Sequence, residues 1–127
     1  MKIEHIAIWV KDLEKARHFY SSYFNFQSNS KYTNAKKQFS SYFLSHSDGA
    51  RIELMHQPEL EDIPQTNNKI GLAHIAFSLG GKAKVDELTK QLEMDGYRIQ
   101  GHPRTTGDGY YESIVLDPDG NWIEICE

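Results

Sequence analysis

The sequence predicts an α+β protein in which one βαβββ module is written twice. Two internal matches carry that prediction. Ile3-Glu4-His5-Ile6-Ala7-Ile8 and Leu72-Ala73-His74-Ile75-Ala76-Phe77 both read apolar, small or charged, His, Ile, Ala, apolar. Asp48-Gly49-Ala50-Arg51-Ile52-Glu53-Leu54 and Asp119-Gly120-Asn121-Trp122-Ile123-Glu124-Ile125 both read Asp-Gly-x-x-Ile-Glu-apolar. His5 to His74 is a step of 69 positions and Glu53 to Glu124 a step of 71, so the two halves run in parallel. One match of this kind can be accidental; two at nearly the same offset mark a repeated supersecondary unit.

The elements follow in the same order in each half. A strand opens the chain and is followed by a helix from Asp12 to Phe24. There Leu13, Ala16, Phe19, Tyr20 and Tyr23 recur at three- and four-residue spacing, with Asp12 as N-cap. The second helix runs from Lys82 to Met94 with Val85, Leu88 and Leu92 on one face, and Asp95-Gly96 stops it. Three strand-like runs follow each helix: Phe26–Thr33, Gln38–Ser45 and Ala50–His56, then Tyr97–His102, Tyr111–Asp117 and Trp122–Glu127. Asp48-Gly49 and Asp119-Gly120 occupy turn positions. The polar, aperiodic stretch 57–69 reads as a linker, which leaves one module at about 1–56 and the other at about 70–127 of a single domain.

Bulk composition narrows the function. At 127 residues, 39% hydrophobic and 25% charged, the chain has the balance of an ordinary globular protein. A net charge of −4 argues against a general nucleic-acid binder, which needs an excess of Lys and Arg to track phosphates. No apolar run approaches the ~18 residues that a spanning helix requires, and the N-terminus lacks a signal-peptide shape. The single cysteine, Cys126, has no internal disulfide partner and fits simple packing, so a cytoplasmic protein is expected.

Strand parity then singles out four residues. Side chains alternate between the faces of a strand. Ile6 and Ile8 oppose His5, Ala7 and Trp9; Ile52 and Leu54 oppose Arg51, Glu53 and Met55. Ile75 and Phe77 oppose His74 and Ala76; Ile123 and Ile125 oppose Trp122, Glu124 and Cys126. The Ile/Leu/Phe faces are where the helices should dock. His5, Glu53, His74 and Glu124 all lie on the reverse faces, and a carboxylate in so apolar a strand needs a partner. A shared divalent cation is such a partner, and two imidazoles with two carboxylates suit Zn²⁺, Ni²⁺, Mn²⁺, Co²⁺ or Fe²⁺. The alternative is a solvated reverse face on which these four are ordinary polar residues. Trp9, Met55 and Trp122 share the ligand face and would line a substrate pocket. The segment from His102 to Tyr111, with Arg104 and two glycines, is either a closing loop whose Arg104 pairs an anionic group or an ordinary hairpin with Gly107 and Gly109 at positive φ; Arg104 and Tyr111 join the pocket candidates. Tyr42 and Phe43 read as core.

The His5-Ile6-Ala7 opening, the helix with Phe19-Tyr20, the restart from Gly71 to Phe77 and the closing run from Leu116 to Glu124 resemble the vicinal oxygen chelate superfamily of glyoxalase I, bleomycin-resistance proteins and extradiol dioxygenases. The resemblance covers almost the whole chain. It implies a cupped mixed sheet with helices outside, holding one metal on ligands at the positions of His5, Glu53, His74 and Glu124. It also implies chelation of two adjacent oxygens of a small α-oxygenated carbonyl substrate, stabilisation of an enediolate, and a glutamate general base, Glu124 or Glu53. A glyoxalase-like lyase or isomerase is the first expectation. A non-catalytic small-molecule binder, a metal-dependent thiol transferase and a ring-cleaving dioxygenase are the others. Trp9 stands where glyoxalases carry an Arg for glutathione, so the resemblance does not extend to that thiol. Exposed sheet edges lead us to expect a homodimer.

Overall fold

The computed structural model describes residues 1–62 and 70–127. Two compact units, Met1–Ile63 and Pro64–Glu127, divide the chain. The boundary falls in the stretch read as a linker; residues 57–62 carry neither helix nor strand, and 63–69 lie outside the described residues.

The first unit runs β1 (His5–Trp9), α1 (Leu13–Phe24), β2 (Gln27–Ser28), β3 (Tyr32–Asn34), β4 (Phe39–Ser45) and β5 (Arg51–His56). Its sheet has the order β1-β5-β4-β2, with β3 also on β4. β1 and β5 are parallel, and every other pairing is antiparallel. The second unit runs β6 (Ile75–Ser78), α2 (Lys82–Met94), β7 (Ile99–Thr105), β8 (Tyr111–Leu116) and β9 (Trp122–Cys126), with sheet order β6-β9-β8-β7 and the same single parallel pair, β6 with β9. The fold is therefore α+β with two βαβββ modules, as the repeat predicts.

Two strands differ from expectation. The run Phe26–Thr33 is not one strand but two. Three residues, 29–31, stand opposite two on β4, because Ser28 pairs with Leu44 and Tyr32 with Ser41. Asn29 holds this bulge: its backbone N–H donates to the Phe43 carbonyl at 3.0 Å, and its side-chain oxygen accepts from the Phe43 N–H at 2.8 Å. β7 runs through Pro103 to Thr105 instead of ending at His102. A proline is tolerated there because β7 is the sheet's edge, and the register shifts on either side of Gly101 absorb the irregularity.

Each helix covers the aliphatic face of its own sheet, as parity predicts. α1 packs on β4 and β5 and buries Leu13, Ala16, Phe19, Tyr20 and Phe24 against Tyr42, Leu44, Ile52 and Leu54. Asp12 starts this helix, its carboxylate accepting from the backbone N–H groups of Glu14 and Lys15 at 3.0 Å each. The Lys15 N–H, more than any other group, holds the Asp12 carboxyl below its ordinary range. A depressed pKa contributes stability above the unfolded value that is lost as pH falls through the folded one. An Asp12→Ala variant should therefore melt at lower temperature near neutrality, with the gap narrowing as pH drops below the usual Asp range of about 3.9; a gap independent of pH would deny the charge its role.

α2 packs on β8, β7 and β9 over a core of Val85, Leu92, Val115, Ile123 and Ile125. A buried hydroxyl pair sits inside it. Thr89 Oγ1 donates to the Val85 carbonyl at 2.6 Å, so Ser113 donates to Thr89 across another 2.6 Å. Thr89→Val would strand the Ser113 hydroxyl and should cost about 1–3 kcal/mol in denaturant unfolding, most of it recovered by adding Ser113→Ala. An equal loss in single and double variants would exclude the hydroxyl pair as the cause.

Candidate metal centre

The same His–Glu diagonal is built on both sheets. In the first unit Ala7 lies directly across from Glu53, and His5 is two residues before Ala7 on the same face. In the second, Ala76 lies across from Glu124 and His74 is two residues before it. The alanine methyl leaves room for each carboxylate to lean along the sheet toward the imidazole. His5 Nε2 stands 3.8 Å from Glu53 Oε2, and His74 Nε2 stands 3.5 Å from Glu124 Oε2.

Exposure divides the two residue types. The glutamate side chains are each 16% exposed, whereas those of His5 and His74 are 39% and 43% exposed. The carboxylates are held by their strands and the imidazoles face outward. At 3.5–3.8 Å the N···O separations are long for hydrogen bonds. Two donors on one tetrahedral or octahedral ion stand roughly 3.0–3.4 Å apart, given metal–ligand distances near 2.1 Å. Each pair thus fits two donors of a divalent cation after a closure of a few tenths of an ångström. Among the described residues, no group of three or more His, Cys, Asp or Glu is placed to hold a metal ion by itself.

The surroundings of the two pairs differ. Beside His5, Glu4 accepts from His5 Nδ1 and from the Arg51 guanidinium, and these bonds hold its carboxyl below the ordinary range, His5 contributing most. Phe43, opposite Glu53 on β4, meets His5 edge-on at 5.4 Å, and Arg51 lies 4.3 Å over its ring. Phe43 is therefore not core. It shares the face of His5 and Glu53, while its neighbour Tyr42 is buried beneath the sheet with its hydroxyl donating to Glu14 at 2.8 Å. Trp9 and Met55 share the His5 face in direct register, and Trp9 packs edge-on against Phe39 at 6.1 Å.

Beside Glu124 stands a second carboxyl that the sequence reading missed. Glu112 pairs with Cys126 in register, so it shares the Glu124 face, and it is buried. Burial raises its pKa most, the Glu124 charge and a hydrogen bond with Glu124 raise it further, and Arg104 opposes the shift. Arg104 Nη2 donates to Glu112 at 3.2 Å, so the guanidinium already has an internal carboxylate partner. Its Nη1 lies 2.9 Å from where a Cβ on residue 101 would stand, so a larger residue there would make the guanidinium shift. Burial and the Glu124 charge also raise the Cys126 thiol, keeping it in the inert neutral form.

Tyr111 is not beside this site. It is on the opposite face of β8 from Glu112, and its hydroxyl donates to Asp86 on α2 at 2.7 Å. The loop before it is a short hairpin, closed by the Thr106 N–H on the Tyr110 carbonyl at 2.8 Å. Only Gly109 of its two glycines has positive φ, +93°. Trp122 is half-buried on the Glu124 face, across from Leu116. His56, for which the sequence shows no partner, bonds through Nδ1 to the Val10 carbonyl at 2.9 Å.

Residues 2–125 match the family model of the Glyoxalase/Bleomycin resistance protein/Dioxygenase superfamily. The chain belongs to that superfamily. The YqjT protein of Bacillus subtilis (strain 168), described as uncharacterized, is 29% identical over 97% of this chain and 96% of its own length. A domain from Frankia sp. EAN1pec described as glyoxylase/bleomycin resistance protein/dioxygenase superposes with a TM-score of 0.84 at 17% identity, covering 99% of this chain and 96% of that one. Maize glyoxalase I superposes with a TM-score of 0.79 at 20% identity; the match covers 98% of this chain but only 44% of the maize protein. These likenesses establish the fold. Superfamily proteins bind small molecules, and members often use a divalent metal and are often dimers. Among the described residues no helix is long and apolar enough to cross a membrane.

Proposed function

We propose that the protein is a metal-dependent glyoxalase-like lyase or isomerase acting on a small α-oxygenated carbonyl compound. The observation that carries the proposal is the His–Glu diagonal repeated on both sheets, each across an alanine. His5, Glu53, His74 and Glu124 are the ligands of one divalent ion (Zn²⁺, Ni²⁺, Mn²⁺, Co²⁺ or Fe²⁺), whether one chain or two copies supply them. Such an ion, when bound, supplies Lewis acidity to two adjacent substrate oxygens.

The chain's own residues do the rest. Glu124, or Glu53 in its place, takes the proton next to the carbonyl and returns it. The buried Glu112 stands beside Glu124 and forms part of the wall there. Trp9, Met55 and Trp122 exclude water and bind the apolar body of the substrate, and Arg104, held by Glu112, offers its remaining N–H donors to an anionic group. The working protein is a cytoplasmic homodimer. Metal content of the untagged protein, measured by plasma emission, tests this first, and hemithioacetals and epimerisable thioesters are the substrates to screen. A protein that takes up no metal, and gains no thermal stability from added Ni²⁺, Zn²⁺, Mn²⁺ or Co²⁺, would leave a non-catalytic small-molecule binder as the better reading.

A further inference from the structure

We propose that Glu4 is a positioning residue for the first half of the metal site: it fixes the tautomer and the aim of His5. The inference rests on the proposed function, since it concerns readiness to bind a metal. A carboxylate only accepts hydrogen bonds, so the proton in the Glu4–His5 contact belongs to Nδ1. That leaves the lone pair on Nε2, the atom directed at Glu53. A metal takes that lone pair, and an outer carboxylate on the far nitrogen also makes the imidazole more basic.

The contact is braced from several sides. The Arg51 N–H donates to the Glu4 carbonyl at 3.0 Å, extending the ladder one residue before β1 and bringing the Glu4 side chain round the end of the strand. The Arg51 guanidinium bonds the Glu4 carboxylate and also covers Phe43. Phe43 in turn flanks the His5 ring. Glu4, Arg51, Phe43 and His5 thus form a closed circuit in which the imidazole has one favoured orientation.

Among the described residues, the second half of the site has no such brace. At the corresponding positions Ala73 replaces Glu4 and Trp122 replaces Arg51. Among the described residues the only side-chain ion pair or hydrogen bond of His74 is the contact with Glu124. The repeat is symmetric in its ligands and asymmetric in what holds them. The His5 pair is prepared before metal arrives, and the His74 pair is ordered by it.

Long-range ¹⁵N spectra of the imidazoles in the metal-free protein, recorded above the histidine titration range, provide a readout independent of activity. His5 is expected as the Nδ1–H tautomer in the wild type, shifting toward Nε2–H in Glu4→Ala. Affinity for Zn²⁺ or Ni²⁺ should fall about 10–100-fold in Glu4→Ala, the range for loss of an outer-shell partner. Glu4→Gln keeps an acceptor oxygen and should preserve the tautomer. A wild-type His5 in the Nε2–H form, or a Glu4→Ala protein with unchanged tautomer and metal affinity, overturns the assignment. If the wild type takes up no metal, the proposed function fails, and the tautomer alone then decides for or against Glu4.

Discussion

Replacing Glu124 with Gln is expected to weaken binding of a divalent transition metal by more than the roughly 100-fold that marks the upper range for an outer-shell partner. Glutamine keeps the length of the side chain but loses the charge, so the strand positions survive while the anionic donor of the proposed site does not. Glu124 is mostly covered, and its oxygen lies 3.5 Å from His74 Nε2. Glu53 occupies the same place in the other module, and Glu53→Gln should produce a loss of similar size. If one ion takes ligands from both pairs, either substitution empties it. Thermal melts give a second reading, because a ligand at 100 times its Kd stabilises the folded state by about 2.7 kcal/mol. In either variant that gain should require at least ~100-fold more metal. Retained metal in both variants would place the ion elsewhere, and loss in only one would mean that the two pairs do not share it.

Four strands made these residues legible. β1, β5, β6 and β9 alternate, with Ile, Leu or Phe on the helix side, so parity alone placed His5, Glu53, His74 and Glu124 on the other, beside Trp9, Met55 and Trp122. β4 and β8 hide their faces. Tyr42, Phe43 and Leu44 are three apolar residues in a row, and only the pairing of Phe43 with Glu53 shows which way it turns. In β8 the pattern is inverted: Ser113 is buried, satisfied by Thr89 on α2, while Ile114 lies across from Glu124 and shares its face. That inversion is why Glu112 was missed and Tyr111 misplaced. Glu4 was hidden for another reason. Alternation assigns it to the helix side, and only at a strand end can its side chain turn back to reach His5.

The largest loss of stability is expected from Phe19→Ala. Phe19 is fully buried on α1, with ring contacts to Tyr20 at 5.1 Å and to Tyr23 and Phe24 at 5.6 Å. Truncation removes the transfer energy of the ring and leaves a cavity that fixed aromatic neighbours fill poorly. The expected cost is about 3–5 kcal/mol. For a chain of this size that corresponds to a fall in Tm of roughly 10–20 °C. Tyr23→Ala is the control, because it shares the helix and the same ring contact but is only half-buried. Its smaller loss separates core packing from any change in helix propensity. Phe19→Leu should fall between the two, since it refills part of the cavity. The second unit gives the contrast: its helix is anchored by Val85, Leu92 and the Thr89–Ser113 hydroxyls, and among the described residues none of its buried side chains is aromatic. A Phe19→Ala protein that unfolds within about 1 kcal/mol of wild type would lie outside what cavity formation permits. It would mean that α1 is held to its sheet by residues other than this aromatic cluster.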